Sequence, residues 1–331
     1  MKIYINPACD IFYSSFYVYG FEQVFGKSAV QFSSHHFKQF ELNNHFFAAV
    51  AEDKTMRHKI IIDFSDSTQI DQKAYEWCDI YAKINIAFGD LPQFGKLFSI
   101  GPSFGIYLYA KPATIFHSVI RYIKAKNRIG SARKFFSNYK AQNNRLNIDA
   151  YRARKSSSSN YVYFVSSLWK AEPETNAFRA NFINAAKSVP GVNFEGGFAP
   201  RSRNDVPGFE AITLRSREAL NVYHPNIQRS MVVFNTPAVL HCHGWKLGEF
   251  FAMGKAILST SISREMPVRL QDGTHYLHTD GTQKDIAQKI EKLLTDPSLK
   301  THLETAAASY YEELLSPQKV ISQIIAHVSG H

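Results

Sequence analysis

The feature that most restricts how this chain can fold is an alternation, met twice, of short β-rich apolar runs with longer helical stretches. In the first half Lys2–Ile5, Ala29–Phe32, Lys59–Phe64 (KIIIDF) and Asp79–Ile86 (DIYAKINI) carry the β-branched and aromatic residues of strands. In the second half Asn160–Val165 (NYVYFV), Val192–Phe194, Ser230–Phe234 and Lys255–Ser259 do the same. Helical periodicity lies between them. The stretch Glu174–Lys187 sets Phe178, Phe182, Ile183 and Ala186 on one side, and a later one aligns Ile286, Ile290, Leu293 and Leu294 before stopping at Asp296-Pro297. Strands that alternate with helices are joined by crossovers, which favours parallel pairing, so the chain is predicted to be α/β with parallel sheets. A last helix from Ser316-Pro317 carries Val320, Ile321, Ile324, Ile325 and Val328, an apolar face that needs a surface to cover.

At 331 residues the chain is long enough for two domains. The polar run Arg152-Ala-Arg-Lys-Ser-Ser-Ser-Ser-Asn160 cannot bury a core, which predicts domains over 1–155 and 156–316 with the last helix, 317–331, after them. With 45% hydrophobic and 20% charged residues the composition excludes global disorder. No run of apolar residues is long enough to span a membrane, and the start of the chain lacks a signal core, so a cytoplasmic location is expected. Cys9, Cys78 and Cys242 are widely spaced and fit reduced thiols better than a disulfide framework or a zinc site.

The formal charge of +10 is concentrated. Between Lys111 and Lys155 twelve Lys and Arg residues meet the single acid Asp149, a local net charge of +11. Phe116, Ile120, Tyr122, Ile123, Phe135, Phe136 and Tyr139 are interleaved with them, as in basic amphipathic helices. A solvated helical face and an anionic membrane surface both fit this pattern. Nothing in the chain resembles a nucleic-acid module, so no nucleic-acid partner is expected.

The most specific segment is Asn235–Pro267, NTPAVLHCHGWKLGEFFAMGKAILSTSISREMP. A strand ending near Phe234 leads through a loop to Gly244, where the backbone can turn tightly into a helix. Helix N-termini leave backbone N–H groups without intrahelical partners and carry partial positive charge, so they suit anions. Lys246 adds a full charge, and Glu249, three residues on, lies on the same face with two acceptor oxygens that suit a vicinal diol. An ordinary Lys246–Glu249 pair, worth about 0.3 kcal/mol, explains the same spacing.

The glycine turn, the Lys three residues before a Glu, and the following Ala-Met-Gly-Lys-Ala-Ile resemble the nucleotide-sugar signature of GT-B glycosyltransferases, especially bacterial capsule and O-antigen enzymes. Asp296-Pro297, Tyr310-Tyr311 and Ser316-Pro317 extend the resemblance over about 160–317. It implies two Rossmann-like domains facing across a cleft, with the C-terminal helix packing back on the N-terminal, acceptor-binding domain. The C-terminal domain then binds the nucleoside diphosphate sugar, through His243, Gly244, Trp245, Lys246 and Glu249, the last holding the ribose. Lys170, and more weakly Arg215 and Arg217, stand where related enzymes place cations on the diphosphate, whose growing charge such groups offset as it leaves. Many retaining members carry a second Glu eight residues before the ribose Glu. Here that position is His241, which leaves the stereochemistry open and makes His241 or His243 a donor-sugar contact. His241-Cys242-His243 also alternates as metal ligands do on an extended chain, but no third ligand completes a site and the family chemistry implied is metal-independent.

On the acceptor side the resemblance implies a general base at a strand end of the first domain. Asp63 and Asp66 are the first candidates, followed by Asp10 and the pair His35-His36, each with a structural alternative as a turn or cap residue. The function implied is transfer of a hexosyl group from a nucleoside diphosphate sugar to a hydroxyl of a lipid-linked glycan in surface polysaccharide synthesis, by a peripheral membrane enzyme with no cofactor beyond the donor. An epimerase or phosphorylase of the same architecture, or a non-catalytic sugar- or nucleic-acid-binding protein, is the alternative.

Overall fold

A computed structural model of the chain describes residues 1–203 and 205–330; the side chain of Lys126, counted in the basic segment, lies outside the described set. The chain divides into two compact units, Met1–Ala150 with Arg264–Val268 and Glu312–His331, and Tyr151–Ser263 with Arg269–Tyr311.

The first unit is built on strands β1 (Lys2–Ile5), β2 (Val30–Phe32), β3 (Phe46–Glu52), β4 (Arg57–Asp63), β5 (Ile80–Lys83) and β6 (Leu97–Ser99) in the order β2-β1-β3-β4-β5-β6. This sheet is not parallel throughout, as the alternation predicts. β3 runs antiparallel to both β1 and β4 while the other pairs are parallel. The reason is a tight connection in place of a helical crossover: Asp53 Oδ1 accepts from Thr55 N, Thr55 Oγ1 and Met56 N, turning the chain straight from β3 into β4. Helix α1 (Ile11–Phe25) starts at Asp10, whose side chain caps the Phe12 N–H, and α2 (Gln72–Trp77) joins β4 to β5.

The basic segment forms α3 (Lys111–Ala125), α4 (Ala132–Gln142) and α5 (Ile148–Arg152). One of its cations is not on the surface. Arg121 is buried, donates to the hydroxyls of Tyr109 and Tyr139 and lies 3.3 Å from the Phe32 ring centroid, so its desolvation is offset by aromatic faces.

The second unit begins with β7 (Tyr161–Ser167), α6 (Pro173–Ser188) and β8 (Asn193–Ala199), β7 and β8 being parallel. After α7 (Leu220–Arg229) come β9 (Val233–Asn235), α8 (Trp245–Ala252), β10 (Ile257–Ser259) and β11 (Leu277–His278), a parallel set in the order β11-β10-β9. The two sets meet at β7 and β9, where Met231 N donates to Tyr161 O and Tyr163 N to Ser230 Oγ. Phe164, Phe182 and Phe234 close the core between sheet and α6, the last two rings stacked 4.5 Å apart. Helices α9 (Gln283–Thr295) and α10 (Pro297–Tyr310) follow, α9 burying Ile286, Ile290 and Leu293 as its periodicity predicts.

The final helix, α11 (Pro317–Ser329), belongs to the first unit and buries Val320, Ile321, Ile324 and Val328. It crosses α1 at Gly20, where a Cβ would stand 2.4 Å from the Pro317 carbonyl oxygen and 2.7 Å from Ile321 Cγ1. Only glycine permits that approach.

Candidate functional site

In the second unit the chain leaves β7 for β8 on one side and then, after α7, returns to place β9 on the other. The loops after β7 and β9 therefore diverge at the carboxyl ends of the strands, the switch point at which open α/β sheets hold ligands. A buried arginine ties the two loops together. Arg179, from α6, donates from Nη1 to Ser167 O at 2.8 Å and from Nε to Thr236 Oγ1 at 3.1 Å. Asn176, one turn earlier, pins the first loop by accepting from Trp169 N and donating to Trp169 O.

The second loop makes its turn in an unexpected place. Gly244 has φ −80°, which any residue adopts, and a Cβ there would meet only Ala238 Cβ at an ordinary 3.5 Å. The left-handed residues are Leu240 and His241, with φ of 56° and 58°. Their turn is held by Leu240 N donating to Glu172 Oε1 and by Ser263 Oγ donating to His241 O. Side chains pay about 1–2 kcal/mol for this conformation, so the turn is imposed by its surroundings. As a result His241 is exposed and His243 buried, and the two do not share a side as an extended chain would have it. What Gly244 does contribute is the lack of a side-chain cap on α8, leaving its first turn uncovered by a capping oxygen.

Lys246, in that first turn, reaches back across the switch point. Its Nζ donates to the Val165 carbonyl at the end of β7 and stands 5.6 Å and 5.5 Å from the ring centroids of Phe164 and Tyr223. Burial pushes its amine down to about 7, the charge of Arg179 pushes the same way, and Glu249 opposes both. Burial also takes Arg179 down to about 10. Glu249 is buried one turn along α8, its Oε1 3.5 Å from the Tyr151 hydroxyl. The site thus holds two desolvated cations that repel each other, with the Glu249 carboxylate acting on Lys246 and that of Glu172 on Arg179. An anion placed there relieves that repulsion.

Trp245 is half-buried beside Lys246, while Lys170, Arg215 and Arg217 are exposed. Beyond the first loop, a cavity of about 250 Å³ is lined by Leu168, Phe209 and Leu214 with the polar Arg201, Glu210 and Thr213. Among the described residues no group of three or more His, Cys, Asp or Glu is placed to hold a metal ion.

The acids of the first unit differ sharply. Asp63, at the end of β4, is buried and saturated: its Oδ2 accepts from Lys83 Nζ and Tyr81 OH, both at 2.7 Å, and its Oδ1 from Ser65 N at 2.8 Å and Ser65 Oγ at 2.6 Å. Asp66, three residues on, is exposed. Asp10 caps α1, and burial raises its carboxyl to about 6. His36 lies 2.6 Å from Arg57, with His35 exposed beside it.

Arg179 and Lys83 escape the sequence reading, although each carries a signal. Arg179 falls four residues before Ile183, on the apolar side of its helix, and Lys83 interrupts an otherwise apolar strand. Charges in such places need partners.

No protein-family model matches the chain, and no curated protein matches it. Among solved structures the chain is similar to MnaA of S. aureus in a UDP co-structure, with 11% identity, TM-score 0.45, and coverage of 99% of this chain and 95% of that one. It is also similar to HepE of Anabaena in complex with UDP, with 14% identity, TM-score 0.42, and coverage of 82% and 100%. A glycosyltransferase from Rickettsia africae has 13% identity and TM-score 0.42, with 78% of each chain covered.

Proposed function

We propose that this chain is a metal-independent GT-B glycosyltransferase that moves a sugar from a nucleoside diphosphate to a hydroxyl of a glycan acceptor. The observation that carries the reading is the pairing of Lys246 and Arg179 at the switch point of the second unit, beside the side-chain-free cap of α8. There the diphosphate replaces the Lys246–Arg179 repulsion with attraction, in a desolvated setting where charge interactions are strong. Glu249 holds the ribose hydroxyls, and the cavity beside Leu168 and Phe209, with an apolar wall and polar edges, takes the base. His241, exposed on its left-handed turn, and His243 contact the donor sugar, with Lys170 at the diphosphate's outer side.

In the reaction the bond from the anomeric carbon to the diphosphate oxygen breaks as the acceptor oxygen forms its own bond to that carbon. Lys246, Arg179 and the α8 N-terminus take up the charge on the departing diphosphate. The acceptor's proton passes to a carboxylate of the first unit. Asp66 suits that task because it is exposed, whereas Asp63 already has four donors. The acceptor is lipid-linked, as in capsule or O-antigen synthesis, and the basic region 111–155 holds the enzyme to the cytoplasmic face of an anionic membrane.

The test is thermal stabilisation by UDP, GDP, CDP and dTDP, which grows as RT ln(1 + [L]/Kd) for the nucleotide that binds. One of the four raises the melting temperature, and Lys246→Ala or Glu249→Ala weakens the response without unfolding the protein. Indifference to all four overturns the reading.

A further inference from the structure

Helix α3 is amphipathic in the wrong sense for a globular surface. It buries Thr114, Ser118, Arg121 and Ala125, and turns its large apolar residues outward. Ile115 is 66% exposed, Phe116 62%, Val119 45% and Ile123 64%. Residues 115, 119 and 123 follow one another at helical spacing, so they form a single stripe along the helix rather than scattered positions. Lys111 and Lys124 lie exposed on the same helix, with Arg133, Lys134 and Lys140 exposed on α4. Scattered apolar residues on a surface need no explanation, but a stripe of this kind does.

At its C-terminal end the stripe runs into a cavity of about 260 Å³ lined by Ser34, Lys38, Ile123, Lys124, Asn127 and Arg128, with no carboxylate among the lining residues. Ile123 belongs to both. Arg128 is anchored through Nη1 to Asn6 Oδ1 and to the carbonyls of Phe37 and Phe40, whereas its Nη2 is buried without an acceptor. Lys38 is exposed at the rim. Three cations, of which Lys124 also donates to Phe32 O, stand with a hydroxyl and an amide around one small cavity and suit a group rich in acceptor oxygens.

We propose that this cavity is a binding site for the phosphate of an anionic phospholipid, whose acyl chains lie along the Ile115–Ile123 stripe of α3. The juxtaposition selects the ligand: the cavity supplies the charge complement of a phosphate, and the stripe meets hydrocarbon directly beside it. A nucleic acid satisfies the cations equally but leaves the four apolar side chains in water. The proposal rests on the reading of 111–155 as a membrane surface and adds to it a seat for one headgroup chemistry.

Flotation of the full chain with vesicles tests it. Phosphatidylcholine vesicles are doped either with phosphatidic acid or, at matched surface charge, with oleate, which offers a carboxylate but no phosphate. The protein floats with both and partitions more strongly onto phosphatidic acid. Lys38→Gln, an exposed substitution, lowers partitioning onto phosphatidic acid about fivefold and leaves the oleate vesicles almost unaffected. Phe116→Ser with Ile123→Ser lowers both by about a hundredfold. Equal partitioning of the parent onto the two vesicle types, or indifference to Lys38→Gln, overturns the headgroup site alone. Failure to float on any anionic vesicle, or an electrophoretic shift of RNA in place of flotation, overturns the membrane surface as well. Stabilisation by nucleoside diphosphates, measured on the same variants, stays at the parent level, so the transferase reading stands or falls separately.

Discussion

Replacing Asp63 by Asn separates two roles that sequence leaves together, a catalytic acid and a structural one. The Asp63 carboxylate accepts from Lys83 Nζ, Tyr81 OH, Ser65 N and Ser65 Oγ. Asn keeps the shape but has one acceptor oxygen and an NH₂, so one pair of donors is left facing another donor. With the amide oxygen kept toward Ser65, the Lys83 ammonium, which has no exposed surface, loses its counter-charge. Removing one partner of a buried pair costs about 3–5 kcal/mol. Lys83 escapes part of this by releasing its proton, which burial already favours by lowering its pKa, so the expected loss is about 3 kcal/mol. For a unit of this size that is a fall in melting temperature of roughly 6–12 °C, read by circular dichroism. Lys83→Met costs a similar amount, and the double variant loses less than the two together because no charge is left alone. Asp66→Asn, on an exposed side chain, leaves the melting temperature nearly unchanged and abolishes transfer. An Asp63→Asn protein that melts with the parent yet has lost transfer would refute this reasoning and return Asp63 to the chemistry.

Nucleotide binding depends on pH through Lys246. Its amine titrates near 7 in the free protein and rises beside a diphosphate, so binding takes up a proton and affinity falls as pH climbs above about 7; calorimetry in buffers of different ionisation enthalpy measures the uptake, and Lys246→Met removes it. Asp10 titrates at about 6 against a normal 3.8, so the folded state binds more protons than the unfolded one between these values and stability declines as pH rises through that window. Asp10→Asn keeps the cap and flattens the decline, as urea unfolding at several pH values would show. Gly20→Ala drives a methyl into Pro317 and Ile321 and destabilises the first unit by about 1–3 kcal/mol, seen as a lower urea midpoint.

Much of this was legible from residue order. Strands β7 and β10, the helix of Ile286 and Leu293, and the last helix with its apolar face stand where the sequence places them, while β8 and β9 overlap their expected runs only in part and β11 escapes the reading altogether. β3 was not legible, because FFAAVAE is buried almost throughout and lacks the alternation that marks a half-buried strand. Nor was the turn before α8: it takes its left-handed residues at Leu240 and His241, against local preference, because Glu172 and Ser263 hold it from distant parts of the sequence. Lys246 and Glu249 could be named from spacing. Arg179 could not be placed beside them, since it reaches the site from another helix. Local signals identify side chains on one element, and only tertiary packing brings together those on different ones.

The clasp of α11 on α1 at Gly20 also bears on how the protein is made. The ribosome releases the first helix before the second unit and its partner after it, so α1 waits with an uncovered apolar flank while the whole second unit is synthesised and free to fold. The amino-terminal unit is thus the later of the two to be completed. A nascent chain that stops short of Pro317 leaves that unit unfinished, whatever has already formed downstream of it.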